Sequence, residues 1–211
     1  YGFCSESSTT SALIHIQDCF TKSKDNINNS ATTIIAFDIS KAFDAIPTNL
    51  LINSLNSTDL PKGFISLISN YLTNRTQQVA IPGFTSETTV VTSGVPQGSI
   101  ISPSLFCVFA RDLNTTTAPL IKFADDSTAI VSHQNGLTID NDIDRVISEF
   151  ENSCRQHGLS INKLKTQILC TIKSNLFHSK YENTEQIKIL GIHISKKFEW
   201  KYHINKTIAN C

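Results

Sequence analysis

The chain has 211 residues, of which 40% are hydrophobic, so it can bury a substantial core and is expected to form a single globular unit. Its 18 lysine and arginine residues balance its 18 aspartate and glutamate residues, which argues mildly against a stand-alone nucleic-acid-binding protein but allows a locally basic groove. No apolar run approaches the roughly 20 residues needed to cross a bilayer, and the first residues lack the basic and apolar regions of a signal peptide, so we expect an intracellular protein with no membrane partner.

The first part of the chain predicts a helix followed by a buried strand. Apolar residues recur at helical spacing over residues 7–24, behind a run of serine and threonine able to cap a helix, and a polar loop over residues 23–30 follows. Ala31–Phe37 is apolar or β-branched throughout, as expected for a buried strand. This strand delivers Asp38 to its carboxyl end.

Two helices and a hairpin are predicted next. Pro47 suits the first position of a short helix that runs to Leu55. Pro61 opens a second helix, which carries a wide apolar stripe and ends near Asn74. Polar and apolar residues alternate on both sides of a proline–glycine pair within residues 76–92, which favours a hairpin with one exposed face.

A tight hairpin with acids at its tip is predicted in the second half of the chain. A polar, glycine-bearing loop over residues 93–102 leads into a helix that begins at Pro103. Residues 121–131, with the sequence IKFADDSTAIV, contain two apolar runs that flank Asp125 and Asp126. Two such runs around a short polar step are typical of a hairpin, so both carboxylates should lie at its turn.

The remaining residues predict one strong helix and further strands. Helical periodicity is clearest over residues 138–157, and Gly158 marks the expected stop. Residues 166–172 and 187–194 are typical of strands, the second of them interrupted by Gly191. The segment from Phe198 onward is too short and mixed to assign.

The cysteine and methionine contents bear on the cellular context. The six cysteines show no close paired spacing, so neither a zinc knuckle nor a dense disulfide framework is indicated, and reduced thiols are expected. The chain contains no methionine, which predicts that it is an excerpt from a longer polypeptide.

Three acidic side chains are predicted to meet at one edge of the sheet. Pairing the strand that ends at Asp38 with the hairpin that carries Asp125 and Asp126 would bring the carboxylates together. Two carboxylates about 5 Å apart repel by roughly 3 kcal/mol at an effective dielectric constant of about 20, a cost that a bound divalent cation reverses. A small number of carboxylates at an open edge suits Mg²⁺, because this ion normally keeps some of its coordination positions for water and substrate phosphates. Because aspartate is also an ordinary turn residue, a plain turn is the alternative.

The chain contains, in this order, the segments AFDISKAFDAI, SGVPQGSIISPSLF, IKFADD, GLSINKLKT and ILGIHIS. These five segments resemble successive motifs of reverse transcriptases, most closely those of non-LTR retrotransposons. The opening YGFCSESSTTSAL resembles the end of that family's fingers region. The resemblance implies an α+β right-hand polymerase palm, with an antiparallel sheet backed by helices and a remnant of the fingers. It also implies three regions. Residues 1–30 would be the last part of the fingers, residues 31–195 the palm with intervening fingers and palm elements, and residues 196–211 the start of the connection towards a thumb.

The resemblance implies RNA-directed DNA polymerase activity, in which the 3′-hydroxyl of a DNA primer attacks a deoxyribonucleoside triphosphate (dNTP) on an RNA template. Two Mg²⁺ ions are implied as cofactors, with Mn²⁺ as the alternative. The implied metal ligands are Asp38, Asp125, Asp126 and the backbone carbonyl of Ile39, and the implied catalytic lysine is Lys165. The implied nucleotide and template contacts are Phe43, Gly94, Pro96, Gln97, Gly98 and Arg75, and the implied primer support is Leu190, Gly191 and Ile192.

Physical reasons support several of these roles. The ring of Phe43 would crowd a ribose 2′-hydroxyl, and the amide of Gln97 offers both a donor and an acceptor. Gly94 and Gly98 permit close backbone approach. The ammonium of Lys165 could donate a proton or charge-assisted hydrogen bonds to departing pyrophosphate. The alternatives are that Phe43 is a core residue, that the loop with Gly94 and Gly98 is a plain surface turn, and that Lys165 is a solvated surface lysine.

Departures from the family pattern leave rival hypotheses open. Cys4 stands where the family has arginine, and Phe123 replaces the commoner tyrosine before the two acids. The resemblance implies that most of the fingers and the thumb lie outside the sequence. The rest of a polyprotein, with or without an endonuclease, is therefore an implied partner. The resemblance also implies action in the nucleus. An RNA-dependent RNA polymerase, with Asp44 as a second acid of the first motif, is the enzymatic rival, although Phe43 favours DNA synthesis. The other rival is a non-catalytic remnant of a decayed element that at most binds RNA.

Overall fold

Runs of helices and runs of strands follow one another along the computed structural model, which describes residues 1–134, 138–172, 184–197 and 199–209. The helices in these ranges are α1 (Thr9–Asp25), α2 (Ala42–Ala45), α3 (Thr48–Asn56), α4 (Lys62–Leu72), α5 (Ser102–Ala110), α6 (Ile139–Gln156) and α7 (Trp200–Ala209). The strands in these ranges are β1 (Ala31–Phe37), β2 (Thr76–Gln77), β3 (Ala80–Ile81), β4 (Phe84–Thr85), β5 (Thr89–Val90), β6 (Leu120–Phe123), β7 (Asp126–His133), β8 (Gln167–Ile172), β9 (Gln186–Ile189) and β10 (Ile192–Ser195).

Strand β1 lies inside a four-stranded antiparallel sheet with the order β6–β7–β1–β8. Its residue Ile34 is paired with Ile130 of β7 on one edge and with Leu169 of β8 on the other. All of its side chains are buried except that of Ala36, which is partly buried, because strands flank both edges and other elements cover both faces. The prediction of a buried strand over these residues is confirmed, as is the α+β class with an antiparallel sheet.

The two faces of this sheet pack against different elements, because alternate side chains of a strand point to opposite sides. Ile35 and Phe37 join a core that includes residues of α3, α4, α5 and α6. Ile34 joins a second core with α1 and the β9–β10 hairpin. The ring of Phe37 packs against Phe150 of α6, with ring centroids 4.4 Å apart. Packing on both sides makes the sheet a rigid base for the residues at its edge.

Sequence signals account for the ends of the longer helices. Helix α1 begins after Ser8, whose hydroxyl accepts a hydrogen bond from the backbone N–H of Ser11 at 3.0 Å. Helix α6 is followed by Gly158, whose φ is 69°, and a Cβ there would lie 2.5 Å from Cγ of Pro47. Pro47 itself precedes α3 as its N-cap instead of occupying the first helical position.

The hairpin predicted within residues 76–92 forms as two short ladders, β2 with β5 and β3 with β4. The prediction of a single exposed face is wrong, because every residue of these four strands is exposed. Apolar side chains such as Val79 and Phe84 are 68% and 64% exposed. Alternation in the sequence predicted the ladder correctly, but no other element in the described ranges covers one of its faces.

The strand predicted over residues 187–194 is instead a hairpin, in which β9 is paired with β10 and Ile189 lies opposite Ile192. Leu190 and Gly191 form its two-residue turn, with φ values of 48° and 84°. Such left-handed conformations are what tight hairpin turns require, so the glycine that interrupts the pattern marks a turn. The segment left unassigned contains α7, whereas Phe198 lies outside the described residues.

Two further expectations concern membranes and cysteines. In the described ranges, no helix combines the length and the apolar character needed to span a bilayer. The five described cysteines, Cys4, Cys19, Cys107, Cys154 and Cys170, are not in disulfides. Cys211 lies outside the described residues.

Candidate active site

The three candidate acids lie where β1 ends and where the β6–β7 hairpin turns. The last paired residues of β1 and β7 are Phe37 and Ser127, so the antiparallel register sets Asp38 opposite Asp126 one step further on. Residues opposite each other on antiparallel strands have Cα atoms about 4.5–5.5 Å apart. Asp125 belongs to the two-residue turn just before Asp126. The topology therefore brings together the acids that the sequence grouped.

The electrostatics at Asp126 reflect this proximity. Desolvation by the surrounding protein raises the pKa of the Asp126 carboxyl above its ordinary value, and the negative charges of Asp125 and Asp38 raise that pKa further. Like charges have this effect only when they are near enough to repel the ionised form. A cation among the three carboxylates would reverse the repulsion.

The N-terminal residues support the turn that carries the acids. Ala124 has a left-handed φ of 52°, a conformation that is costly for a residue with a Cβ. Gly2 lies so close behind it that a Cβ on Gly2 would be 2.4 Å from the backbone nitrogen of Ala124. The thiols of Cys4 and Cys107 both donate to the carbonyl of Gly2, at 3.5 and 3.2 Å. Surrounding structure of this kind is what keeps a strained turn in place.

An open cleft of about 530 Å³ lies beside these acids. A depression of similar size, about 500 Å³, lies between α6 and β8, and its lining includes none of the candidate residues. The two depressions therefore differ in their chemistry and not in their volume, since only the first is lined by candidate residues. Its lining consists of Asp38, Ile39, Ser40, Lys41, Ala42, Phe43, Asp44, Gln97, Asp125, Asn162 and Lys165.

Lys165 reaches the cleft from a loop that is hydrogen-bonded to the end of β1. The N–H of Asn162 donates to the carbonyl of Asp38 at 2.7 Å, and the N–H of Lys165 donates to the carbonyl of Asn162 at 3.1 Å. Nζ of Lys165 then lies 4.0 Å from Oδ2 of Asp38. Because the Lys165 side chain is 69% exposed, this ion pair adds little stability, and the ammonium can contact a ligand in the cleft.

The chemistry of the donor set fits a hard divalent cation, since carboxylate and carbonyl oxygens are the ligands that Mg²⁺ prefers. Ile39 and Ile161 face each other in an antiparallel bridge, and hydrogen bonds join the residues on either side, from Asn162 to Asp38 and from Ser40 to Ser160. In this arrangement the carbonyl of Ile39 points away from Ile161. In the described ranges, however, no three His, Cys, Asp or Glu side chains are arranged to hold one ion. The candidate ligands are thus close neighbours whose carboxylates are not gathered around a single point.

Phe43 belongs both to the cleft and to the edge of the core. Its partly buried ring stacks on the buried ring of Phe106, with centroids 4.6 Å apart and planes 23° apart. The same residue lines the cleft next to Asp44. Its selective role stays a prediction, and the stacking with Phe106 shows that the ring is braced from behind.

The loop over residues 93–102 runs along the segment that follows Asp38. Gly94 has a φ of 82°, and a Cβ there would lie 2.7 Å from both Cα and the carbonyl oxygen of Asp44. Gly98 has a φ of 81° with nothing within 4 Å of such a Cβ, so its backbone conformation alone favours glycine. The carbonyl of Pro96 accepts a hydrogen bond from the hydroxyl of Ser102 at 2.6 Å. Of this loop, Gln97 lines the cleft.

Arg75 and the residues 190–192 lie outside the lining of the cleft. The guanidinium of Arg75 donates to the backbone carbonyls of Leu72, Ser93 and Gly94, so it joins the end of α4 to the glycine-bearing loop. Leu190 and Ile192 pack against the second core. Contacts of these residues with nucleic acid stay predictions.

Among the cleft residues for which the sequence predicts no role in the cleft, Asp44 and Asn162 make hydrogen bonds to candidate residues. The sequence offers Asp44 as the second acid of the rival polymerase, and the structure shows that its carboxylate accepts a hydrogen bond from Gln97. Asn162 closes the turn that leads to Lys165. The available signal was their position, because each lies within a motif-like segment that also carries a candidate residue.

The antiparallel sheet is packed against helices and carries acids at a hairpin turn and a lysine-bearing loop at its edge. This is the α+β architecture of a polymerase palm. A family model described as reverse transcriptase (RNA-dependent DNA polymerase) matches residues 1–194. The chain therefore belongs to the reverse transcriptase family, as its motifs predicted.

Relatives among curated proteins include polymerases of insect mobile elements. The chain is 24% identical over 195 residues to the RNA-directed DNA polymerase from mobile element jockey of Drosophila melanogaster, an alignment that covers 84% of this chain and 21% of that protein. It is 25% identical over 195 residues to the probable RNA-directed DNA polymerase from transposon BS of the same organism, with the same coverage of 84% and 21%. The chain thus spans about a fifth of the length of these relatives.

Solved structures with a similar fold include telomerases. The structure of telomerase from Candida tropicalis in complex with a TWJ fragment of telomeric RNA matches with a TM-score of 0.62 and 14% identity, over 91% of this chain and 33% of that one. The structure of apo telomerase from the same organism, truncated from its C-terminal domain, matches with a TM-score of 0.60 and 17% identity, over 90% of this chain and 38% of that one. At such identities the likeness shows the fold alone.

Proposed function

We propose that the cleft is the nucleotidyl-transfer site of an RNA-directed DNA polymerase of the non-LTR retrotransposon type. The observation that carries this proposal is the meeting of Asp38, Asp125 and Asp126 at the edge of the sheet, with Nζ of Lys165 4.0 Å from Asp38. Membership of the reverse transcriptase family supports it. The proposed substrates are a dNTP and a DNA primer, paired on an RNA template.

The reaction joins the primer 3′-oxygen to the α-phosphorus of the dNTP and releases pyrophosphate. The 3′-hydroxyl loses its proton as the new P–O bond forms, and the bond from the α-phosphorus to the bridging oxygen breaks. Lys165 is placed to bind the triphosphate and to donate a proton to the departing pyrophosphate, because its exposed ammonium lines the cleft. The hydrogen bonds of Asn162 keep this loop against the end of β1.

Asp38, Asp125, Asp126 and the carbonyl of Ile39 would hold two Mg²⁺ ions, or Mn²⁺, which when bound stabilise the attacking and leaving oxygens. The contribution of the chain is to keep these ligands at one edge of a rigid sheet. The end of β1 carries Asp38, and the turn supported by Gly2 carries Asp125. Because the backbone that carries these ligands is fixed, cation binding requires movement of the side chains alone.

Phe43 is proposed to select deoxyribonucleotides. Its ring lines the cleft and is braced by Phe106, so it cannot easily move back to admit a ribose 2′-hydroxyl. We assign the nucleotide and template contacts to Gln97 and its loop, and primer support to residues 190–192. Because the chain spans about a fifth of its relatives, a thumb, more of the fingers and any endonuclease are assigned to the rest of a polyprotein that acts in the nucleus.

Primer extension on an RNA template by a longer polypeptide that contains this chain tests the proposal. We expect DNA synthesis that requires Mg²⁺ or Mn²⁺ and that falls to background in Asp125→Asn, because the substitution removes one charged metal ligand. Asp18→Asn is the matched control, since Asp18 is exposed on α1 and pairs with Lys22 away from the cleft. Full activity in Asp125→Asn would contradict the assignment.

Two other results would favour the rival hypotheses. Preference for ribonucleoside triphosphates would indicate an RNA-dependent RNA polymerase. A folded polypeptide that binds RNA and extends no primer would indicate a non-catalytic remnant.

A further inference from the structure

We propose that Asp44 is a positioning residue, which acts by orienting the side-chain amide of Gln97 in the cleft. Oδ1 of Asp44 accepts a hydrogen bond from Nε2 of Gln97 at 2.9 Å, and both residues line the cleft. Asp44 directly follows Phe43 in the chain, so the hydrogen bond lies beside the proposed sugar site. The proposal rests on the proposed function, because its kinetic effect is measured in that reaction.

The chemistry of the pair selects one orientation of the amide. A glutamine amide carries a donor nitrogen and an acceptor oxygen on the same planar carbon, whereas an ionised carboxylate can only accept. The nitrogen must therefore face Asp44, which leaves Oε1 for a ligand. Gln97 then presents an acceptor in the cleft, suited to a hydroxyl or amino group of the nucleotide. A partner that could both donate and accept would stabilise either orientation.

The backbones on both sides of this hydrogen bond are held together independently. The carbonyl of Asp44 accepts from the hydroxyl of Ser93 at 2.9 Å, and the carbonyl of Phe43 accepts from the N–H of Val95 at 2.9 Å. Gly94 adds the close backbone contact with Asp44 described above. Both side chains are exposed, but these contacts fix the two backbone segments, so the side-chain hydrogen bond constrains the direction of the amide.

Asp44→Asn separates an orienting role from simple bracing. Asparagine has the size of aspartate and can still hydrogen-bond the amide, but it both donates and accepts, so it no longer selects one orientation. In the longer polypeptide we expect Asp44→Asn and Asp44→Ala each to lower kcat/KM for dNTP addition about tenfold, mainly through a higher KM. Asp18→Asn is the matched control and should keep wild-type kinetics. A wild-type KM in Asp44→Asn, together with a raised KM in Asp44→Ala, would show that Asp44 only supports the Gln97 side chain and does not select its orientation. This result would overturn the proposal.

A double-mutant cycle tests whether Asp44 acts through Gln97. In a Gln97→Ala background there is no amide to orient, so adding Asp44→Asn should change KM by less than about twofold. If the tenfold effect of Asp44→Asn persists in that background, Asp44 acts by another route and the proposal is refuted.

The amide itself can be observed in this chain without any polymerase assay. We expect the two Nε2 proton resonances of Gln97 in a ¹⁵N-labelled sample, identified by their loss in Gln97→Glu, to be well separated in the wild type. They should move towards the positions of unrestrained amides in Asp44→Asn. If the longer polypeptide is inactive while the amide is restrained, the polymerase proposal fails and the pairing stands. An unrestrained amide in the wild type overturns the positioning role.

Discussion

At Gly94 an added methyl group would meet two separate costs, a strained backbone conformation and a clash with backbone atoms. Its φ of 82° lies in the left-handed region, where a residue with a Cβ costs about 1–2 kcal/mol. The Cβ of Gly94→Ala would also lie 2.7 Å from Cα and from the carbonyl oxygen of Asp44. These are backbone atoms that cannot rotate away, so the segment behind the cleft must shift.

The two costs can be separated with a matched variant. Overpacking of this kind typically costs about 1–3 kcal/mol, so Gly94→Ala should lower the free energy of unfolding by about 2–5 kcal/mol. Gly98 has almost the same φ, 81°, and nothing within 4 Å of an added Cβ. Gly98→Ala should therefore cost only the conformational part, about 1–2 kcal/mol.

Urea unfolding of the wild type and the two variants, followed by circular dichroism, measures the difference. The slope of the unfolding free energy against urea should stay constant, so that midpoints report stability. Gly94→Ala should unfold at the lowest urea concentration. Equal destabilisation in both variants would refute the argument, because it would mean that the contact between Gly94 and Asp44 carries no cost.

Three further predictions address the cleft and the core. Phe43→Val in the longer polypeptide should raise the ratio of kcat/KM for ribonucleotides over deoxyribonucleotides, since valine lacks the ring that we propose crowds the ribose 2′-hydroxyl; an unchanged ratio would indicate that Phe43 has only a structural role. Lys165→Ala should lower kcat for single-nucleotide addition by about 10²-fold, as expected for a lost general acid, and a change confined to KM would indicate phosphate binding alone. Burial raises the pKa of the Cys154 thiol to about 12, so at pH 8 only about one molecule in ten thousand carries the reactive thiolate. Iodoacetamide followed by mass spectrometry should therefore label exposed Cys4 long before Cys154, and equal labelling would contradict the buried environment.

Local patterns predicted the elements that carry the site. The apolar run before Asp38 predicted β1, and the two apolar runs around Asp125 and Asp126 predicted the hairpin, because strand and turn preferences act over a few neighbouring residues. Gly158 correctly predicted the end of α6. The grouping of the acids also followed from the sequence, since pairing the two strands places their ends together.

Burial and pairing between distant segments required the tertiary structure. Alternation within residues 76–92 predicted a ladder, but whether a face is covered depends on elements elsewhere in the chain. A glycine at 191 is compatible with a bulge or a turn, and only the pairing of β9 with β10 decides for the turn.

The same distinction applies inside the cleft. The sequence determined which chemical groups are present: three carboxylates, a lysine, an aromatic ring and an amide. It could not determine that the amide of Gln97 faces Asp44, because these residues are 53 positions apart and meet only when the glycine-bearing loop packs along the segment after β1. The sequence also could not show that the guanidinium of Arg75 donates hydrogen bonds to the carbonyls of that loop. Hydrogen-bond partners are chosen by distance and direction in three dimensions, whereas a sequence records only which donors and acceptors are available.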